Sequence, residues 1–256
     1  MNKLFVFLPC YNEELNIGAL IDEWMNESAK LEEEGYYLIV CPIDDKSTDN
    51  TQAKMREKAA LYGEDRINII AHEQNKNLRG GLNTSVENFL KLGCDDDLMC
   101  LMDGDDTHSP VYIHPMLAKM KASSVDCVIA SRYREGAEVI GLKGYRKFLS
   151  DMAKHYYSIV LRVPGVKDYT CGYRLYDKKI IKVLVERFGD EPIQERSFAC
   201  MMELLYKLHL CGATFDEVGF KLRYDKKQGD SKMRVSSTMK NSLGAAIRLR
   251  KLKTKS

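Results

Sequence analysis

Short apolar runs alternate along this chain with stretches of helical spacing. The predicted strands are residues 4–8, 37–43, 66–71, 98–102, 127–131 and 214–220, and the predicted helices are residues 16–34, 50–62, 82–92, 145–161 and 198–210. Alternation of strand and helix over the first hundred residues predicts an α/β protein. We expect a doubly wound, mostly parallel central sheet with right-handed crossovers, flanked by helices.

Carboxylates follow three of the predicted strands. They are Glu13 after the first, Asp44 and Asp45 after the second, and Asp103, Asp105 and Asp106 after the fourth. Ligands of open α/β sheets bind beyond the carboxyl ends of the strands, so these acids should meet at one edge. Carboxylates packed so closely repel one another, and a hard divalent cation bound to phosphate oxygens would relieve that repulsion. A solvated acidic turn explains residues 103–106 equally well, because Asp and Gly are common turn residues.

Composition narrows the class of protein only moderately. The 256 residues are 45% hydrophobic and 30% charged, with a net charge of +2, as in ordinary globular proteins. No GxGxxG follows the first strand and no GxxxxGK[ST] occurs, which weighs against dinucleotide binding and P-loop hydrolysis. Eight cysteines without CxxC or zinc spacing favour a reducing compartment. With no apolar window of about 18 residues, we expect a cytoplasmic protein, soluble or peripheral on the cytoplasmic face of the membrane.

Five motifs then occur in a fixed order. They are Pro9-Cys-Tyr-Asn-Glu13, Asp44-Asp-Lys-Ser-Thr-Asp-Asn-Thr51, Asp103-Gly-Asp105, Asp168-Tyr-Thr-Cys-Gly-Tyr-Arg174 and Gly229-Asp-Ser-Lys232. This set resembles the family 2 glycosyltransferases of GT-A fold, and within them the dolichyl-phosphate (polyprenyl-phosphate) sugar synthases. The resemblance implies a single GT-A catalytic domain over residues 1–235. Its nucleotide-binding half would be residues 1–105 and its acceptor-binding half residues 106–235, before a basic C-terminal tail, 236–256.

The resemblance also implies site residues. A nucleoside-diphosphate sugar, UDP- or GDP-linked, would contact Pro9, Tyr11, Glu13, Asp45, Asp103, Arg146, Arg223, Ser231 and Lys232. Asp103 and Asp105 would hold Mg²⁺ or Mn²⁺. Thr107 stands where this branch often has a longer Gln ligand, so water would complete the coordination there.

Four residues are the catalytic candidates: Asp105, Arg132, Asp168 and Glu203. A polyprenyl phosphate acceptor is already a nucleophile and needs only positioning and charge neutralisation, which Arg132 and Arg146 would supply. The alternative for these arginines is surface pairing with Glu135 or Asp151. A hydroxyl acceptor on a glycan or glycolipid would instead need a base, and Asp168 and Glu203 are the candidates. The alternative for Glu203 is an ion-paired carboxylate on the solvent-exposed side of its helix.

The implied reaction is inverting, metal-dependent hexosyl transfer to a polyprenyl phosphate, in cell-envelope glycan biosynthesis. Rival interpretations are transfer to a hydroxyl, a sugar-phosphate nucleotidyltransferase, and a non-catalytic nucleotide-binding module. The histidines lack catalytic partners in sequence, and His108, His114 and His155 are predicted to be surface or capping residues. We expect no nucleic acid partner.

The C-terminal tail permits two interpretations. Met239, Leu243, Ala246 and Ile247 share one helical face among lysines and arginines. Such a segment can lie on an anionic membrane surface, which would give peripheral membrane contact. It can equally pack on the domain with a frayed basic end.

Overall fold

A computed structural model describes residues 1–141, 144–195, 199–226 and 235–252, with the side chains of 145–149 and 235–241 left out. The strands are β1 (Asn2–Cys10), β2 (Tyr36–Asp44), β3 (Ile70–Ala71), β4 (Leu98–Leu101), β5 (Cys127–Ser131), β6 (Glu138–Ile140), β7 (Arg174–Asp177), β8 (Phe215–Gly219) and β9 (Lys221–Arg223). The helices are α1 (Ile17–Asn26), α2 (Ser28–Glu33), α3 (Thr51–Tyr62), α4 (Asn77–Leu92), α5 (Ile113–Ser123), α6 (Gly144–Leu161), α7 (Lys178–Phe188), α8 (Ala199–Leu210) and α9 (Val235–Arg250).

The central sheet has seven strands in the order β3-β2-β1-β4-β7-β5-β8. All neighbouring pairs are parallel except those of β7, which runs antiparallel to both β4 and β5. Strands β6 and β9 form a separate parallel ribbon. The predicted doubly wound, mostly parallel sheet flanked by helices is confirmed.

Burial on both faces explains why the apolar runs form these strands. Every residue of β1 from Leu4 to Leu8 is buried, and Phe5 meets the ring of Phe89 on α4 edge-on at 5.8 Å. Helix α1 contributes the fully buried Trp24. Burying one such side chain contributes about 1.5–3 kcal/mol to the stability of the fold. Because both faces of the sheet are covered, every position of a central strand gains from an apolar residue, and the strands are continuously apolar rather than alternating.

Local packing moves several element boundaries from their predicted places. The predicted helix 16–34 is two helices, because the chain breaks at Glu27 between α1 and α2. The predicted strand 66–71 is only β3, preceded by an isolated bridge at Ile67. Helix α4 begins before residue 82 and includes Gly81, whose missing Cβ lets the helix approach Pro9; a Cβ there would lie 2.8 Å from the Pro9 Cβ. Because glycine lowers helix propensity, the hydrophobic pattern predicted that this helix begins at residue 82, later than it does.

The C-terminal helix α9 packs on the domain, against α6 and α8. Ser242, Ala245, Ala246 and Leu249 form its buried face, whereas Ile247 is exposed. The predicted apolar face therefore matches only in part, and Met239 lies among the side chains that are not described. No helix in the described part of the chain is both long and apolar enough to span a bilayer.

Candidate active site

The loop after β1 is fixed by the segment that follows β2. Glu13 donates its amide to Thr51 Oγ1 at 2.7 Å, and its carboxylate accepts from Asn16 Nδ2 at 2.7 Å. Asn12 donates its amide to Ser47 Oγ at 2.9 Å. The hydroxyls of the Asp44–Thr51 motif therefore hold the Tyr11–Glu13 loop in place, and Tyr11 itself remains 39% exposed at the sheet edge.

Asp45 lies buried beside the end of β1, where its amide donates to the Cys10 carbonyl at 2.9 Å. Its Oδ1 lies 2.7 Å from His72 Nδ1 and also accepts from the Lys76 amide at 2.7 Å. The other ring nitrogen of His72, Nε2, lies 2.8 Å from Thr84 Oγ1. Sequence reasoning missed His72, because a lone histidine beyond a weak strand carries no local signal.

Asp103 and Asp105 lie at the end of β4, both partly exposed. Asp103 lies directly against Gly172, where a Cβ would stand 2.6 Å from Oδ1. Asp105 Oδ1 accepts from the Thr107 hydroxyl at 2.7 Å, which orients that carboxylate. The Asp103-Gly-Asp105 motif and the Asp168–Arg174 motif, separate in sequence, thus meet in one place.

The donors at this edge suit a hard divalent cation. Carboxylate oxygens are the ligands that Mg²⁺ and Mn²⁺ prefer, and Mg²⁺ commonly takes one or two carboxylates plus substrate phosphates and water. Within the described ranges no three His, Cys, Asp or Glu side chains cluster closely enough to form an all-protein metal cage. Asp103 and Asp105 therefore fit a cation that completes its coordination with a diphosphate and water.

Asp106 differs from its two neighbours. Its backbone has a φ of +57°, the left-handed conformation that Asp tolerates in turns. Its Oδ1 is buried and has no hydrogen-bond partner in the described part of the chain. Burial first, and then the negative charge of Glu23, raise its pKa to about 6. A carboxyl in this position is a turn residue and a source of instability at neutral pH.

Two histidines contradict the prediction of surface or capping positions. His108 is buried, stacked on Phe220 with a ring-centroid distance of 5.3 Å, and its Nδ1 lies 3.0 Å from Thr107 Oγ1. Burial lowers its pKa, against the opposing effect of Asp103 and Asp105. His114 is buried between Glu27 and Glu34, each 2.9 Å from a ring nitrogen. Long-range packing decided both positions, which local sequence did not reveal.

Arg132, at the end of β5, pairs with Asp168 rather than with Glu135 or Asp151. Its Nε donates to Asp168 Oδ2 at 2.8 Å and its Nη2 donates to Oδ1 at 2.6 Å and to Thr170 Oγ1 at 2.6 Å. Asp168 is completely buried, which favours its neutral form, but the charge and hydrogen bonds of Arg132 outweigh burial and lower its pKa. The pair is a fixed, charged unit.

The segment before Asp168 is anchored from β8. Glu217 Oε1 accepts from the amides of Lys167 and Asp168 at 2.8 and 2.7 Å, and its Oε2 accepts from Arg134 Nε at 2.7 Å. Sequence reasoning did not single out Glu217. The only local signal was the basic pair Arg132-Tyr-Arg134 at the end of a strand.

Glu203, the other candidate base, is buried in the protein and does not lie on the solvent-exposed side of its helix. Its Oε1 lies 2.7 Å from Lys207 Nζ, and its Oε2 accepts from the amides of Gln194 and Glu195 at 2.8 and 2.7 Å. Both residues of the ion pair are buried. Glu203 therefore fixes the chain before α8.

The remaining predicted residues lie at the rim or outside the described part. Arg223, on β9, is partly exposed and forms a two-bond ion pair with Asp225. Pro9 packs on Gly81, as described above. The side chain of Arg146, and the whole of Ser231 and Lys232, lie outside the described residues.

An open cleft borders Arg132. Its lining residues are Arg132, Tyr133, Val139, Ser150, Asp151, Leu222 and Tyr224. The pKa of Tyr224 is raised by burial, lowered by the charge of Arg132 and raised by the charges of Asp103 and Asp105. The cleft that Tyr224 lines is therefore close to the acidic edge of the sheet, the edge that carries Asp103 and Asp105. The site thus combines carboxylates on one side with a fixed guanidinium on the other.

This fold is that of the GT-A glycosyltransferases. The crystal structure of glucosyl-3-phosphoglycerate synthase from Mycobacterium tuberculosis in complex with Mn²⁺, UDP and phosphoglyceric acid is similar with a TM-score of 0.67. The match covers 98% of this chain and 80% of that chain at 14% sequence identity. Mannosyl-3-phosphoglycerate synthase from Rubrobacter xylanophilus is similar with a TM-score of 0.59 at 15% identity, over 96% of this chain and 73% of that chain.

Residues 5–185 match the family model for glycosyl transferase family 2, so this chain belongs to glycosyltransferase family 2. Two curated relatives carry the name of a polyprenyl-phosphate sugar transferase. Polyprenol monophosphomannose synthase of Mycolicibacterium smegmatis is 25% identical over 235 residues, covering 92% of this chain and 82% of the relative. UDP-N-acetylglucosamine–dolichyl-phosphate N-acetylglucosaminyltransferase of Methanococcus voltae is 24% identical over 217 residues, covering 81% and 82%. The resemblance expected from the sequence is confirmed.

Proposed function

We propose that this glycosyltransferase moves a sugar from a nucleoside-diphosphate sugar to a polyprenyl phosphate, with inversion at the anomeric carbon. The observation that carries the proposal is the Arg132–Asp168 ion pair, which borders a cleft beside the acidic edge. The Nε and Nη2 groups of Arg132 bind the buried Asp168 carboxylate, which fixes the guanidinium and leaves Nη1 to donate to a phosphate. The names of the two curated relatives support the same acceptor class.

The donor would bind across the ends of β1, β2 and β4. Tyr11 would pack on the base, Glu13 would accept from the ribose hydroxyls, and Asp45 would accept from a base N–H. Asp103 and Asp105 would hold Mg²⁺ or Mn²⁺ on the diphosphate. A bound cation would offset the charge that develops on the departing nucleoside diphosphate.

The acceptor phosphate would lie against Arg132, whose Nη1 has no hydrogen-bond partner among the described residues. An ionised phosphate oxygen forms the new bond to the anomeric carbon while the bond from that carbon to the diphosphate breaks. The bonding electrons leave with the diphosphate, and no proton has to be removed. Positioning and charge neutralisation are then the main tasks of the protein.

The state of the candidate bases supports a phosphate acceptor over a hydroxyl. Asp168 has a lowered pKa and both of its oxygens are bound, and Glu203 is occupied by Lys207 and two amides. A base needs an available oxygen and a pKa near the working pH. In this proposal Asp168 positions Arg132, and Glu203 supports the fold.

A hydroxyl acceptor is the second candidate, favoured by one observation. Asp151 and Ser150 line the same cleft as Arg132, and Asp151 is partly exposed there. A carboxylate in this place can accept a proton from a hydroxyl. If the acceptor is a hydroxyl, Asp151→Asn should abolish transfer; if it is a phosphate, Asp151→Asn should leave transfer largely intact.

The test is a donor screen that measures nucleoside-diphosphate release with a short polyprenyl phosphate as acceptor. Transfer is expected only with the lipid phosphate and a divalent cation present. The matched control acceptor is the corresponding polyprenol, which differs only by its phosphate. Equal transfer to the polyprenol, or release independent of any acceptor, would contradict the proposed acceptor class.

A further inference from the structure

The base-binding end of the site contains a residue with an unusual set of contacts. Asp45 is 5% exposed, and one of its oxygens, Oδ1, receives two hydrogen bonds from the protein. A carboxylate oxygen has about two in-plane lone pairs, so His72 and the Lys76 amide together fill the capacity of Oδ1. Both of these hydrogen bonds go to Oδ1, and within the described part of the chain Oδ2 has no hydrogen-bond partner.

His72 determines which oxygen of Asp45 is bound by the protein and which is left for a ligand. With its hydrogen on Nδ1, His72 donates to Asp45 at 2.7 Å, and its Nε2 accepts from the Thr84 hydroxyl at 2.8 Å. This tautomer satisfies every polar atom of the buried ring. Since Thr84 lies on α4 and Asp45 follows β2, the histidine ties the carboxylate to the helix. Asp45 therefore offers a ligand one oxygen in one orientation.

Nucleobases differ in what they offer to such an oxygen. Uracil has a single ring donor, N3–H, between two carbonyl acceptors. Guanine has two neighbouring donors, N1–H and the N2 amino group, which match both oxygens of a carboxylate as a fork. Cytosine has no hydrogen on N3 and would turn a lone pair towards Asp45.

We propose that Asp45, held by His72, selects a uracil nucleotide over a guanine nucleotide as the sugar donor. The inference rests on the proposed function, since it concerns the base of the same donor. One available oxygen satisfies uracil N3–H completely but leaves one guanine donor without its partner. An unmade hydrogen bond in a buried site costs enough to reduce affinity about tenfold. His72 is a positioning residue in this proposal.

The experiment is calorimetry of the full chain with UDP, GDP and CDP in the presence of Mn²⁺. The three ligands share the ribose and diphosphate, so differences report on the base. UDP is expected to bind about tenfold or more tightly than GDP and CDP. GDP binding as tightly as UDP would overturn the inference and leave the proposed function intact. Failure of all three to bind would overturn both.

Two variants test the role of His72. His72→Leu removes the Nδ1 donor and leaves Oδ1 of Asp45 able to accept from a ligand, so the ratio of UDP to GDP affinity should fall towards one. His72→Asn places an amide nitrogen near the position of Nδ1 and should restore the ratio. A purely structural role would weaken both nucleotides equally, and an unchanged ratio in a folded His72→Leu variant would refute the positioning role.

Discussion

The guanidinium of Arg132 and the carboxylate of Asp168 form a two-bond ion pair, with Nε–Oδ2 and Nη2–Oδ1 distances of 2.8 and 2.6 Å. The pair joins the end of β5 to the segment that leads into β7. Because Asp168 is fully buried, the guanidinium has one orientation relative to the acidic edge.

Arg132→Lys should reduce transfer at least about 100-fold while the fold is retained. A lysine has a single ammonium group, so it cannot bind Asp168 through two parallel hydrogen bonds and also donate to a phosphate. A 100-fold loss of rate corresponds to about 3 kcal/mol of transition-state binding, at about 1.4 kcal/mol per tenfold. Transfer rates and circular dichroism of the variant test this. Arg56→Lys, on the exposed surface of α3, is the matched control and should transfer normally.

Asp168→Asn should lower the free energy of unfolding by about 3 kcal/mol at neutral pH, since it leaves a buried guanidinium without its counter-charge. The Asp168 pKa lies below its usual 3.8 in the folded protein. Its stabilising contribution is therefore complete above pH 3.8 and is lost as pH falls through the lowered folded pKa. Urea unfolding of wild type and variant should differ constantly from about pH 7 to about pH 5. A difference that shrinks within that range would contradict the assignment.

Gly172→Ala should impair metal-dependent nucleotide binding more than stability. The added Cβ would lie 2.6 Å from Asp103 Oδ1, so the carboxylate must turn away from its position. Calorimetry with UDP and Mn²⁺ checks the loss of affinity, and thermal unfolding checks the fold. Gly18→Ala in α1 is the control, because its Cβ would meet only the Lys58 side chain at 3.5 Å. Equal effects of the two variants on binding would count against the site.

Asp105→Asn should abolish transfer and the effect of Mn²⁺ on nucleotide binding. The variant retains an oxygen for Thr107 but loses the charge that a divalent cation needs. Asp96→Asn, an exposed neighbour of β4, should behave like wild type. Retained metal-dependent transfer in Asp105→Asn would refute the metal assignment.

Asp106→Asn should stabilise the protein at neutral pH. In the folded protein the Asp106 pKa is raised to about 6 from 3.8, so the folded state prefers the protonated form. Folding is therefore penalised progressively as pH rises from 3.8 through about 6, and the penalty is complete above that range. The asparagine variant, which carries no charge, should unfold at higher urea concentration at pH 7 and at the same concentration near pH 3.8. A variant less stable than wild type at pH 7 would contradict the cause given for the shift.

Local pattern was sufficient for strands β1, β2, β4, β5 and β8 and for the carboxylates that follow β1, β2 and β4, because each of these strands and the residues after it are continuous in sequence. It was insufficient wherever a contact spans the chain. Arg132 and Asp168 are separated by 36 residues, and His72 and Asp45 by 27. In neither pair do the residues around one partner indicate the other. The sequence therefore predicted Arg132 as either a surface arginine or a phosphate ligand, and it did not identify His72 as a site residue.

Strand β7 was also beyond local pattern, since the four residues Arg174–Asp177 contain as many charged as apolar or aromatic side chains. Its burial depends on neighbours on both sides. Once β4 and β5 are in place, even Arg174 is buried, with its guanidinium bound to the carbonyls of Met201 and Tyr169. Tertiary packing overrode the sequence preference at this strand.

The reversed direction of β7 has a consequence for how the protein is made. Arg174 pairs with Leu101 of β4 and with Ile129 of β5, strands that leave the ribosome long before it. Until residue 177 has been synthesised, the edges of β4 and β5 that pair with β7 are open, and β7 cannot yet hold Gly172 against Asp103. Unpaired strand edges attract other chains, so the nascent protein passes through an aggregation-prone stage. The proposed catalytic centre is thus completed late in synthesis, and a polypeptide ending before Asp168 would contain Asp103 and Asp105, the proposed metal ligands, without the Arg132–Asp168 pair.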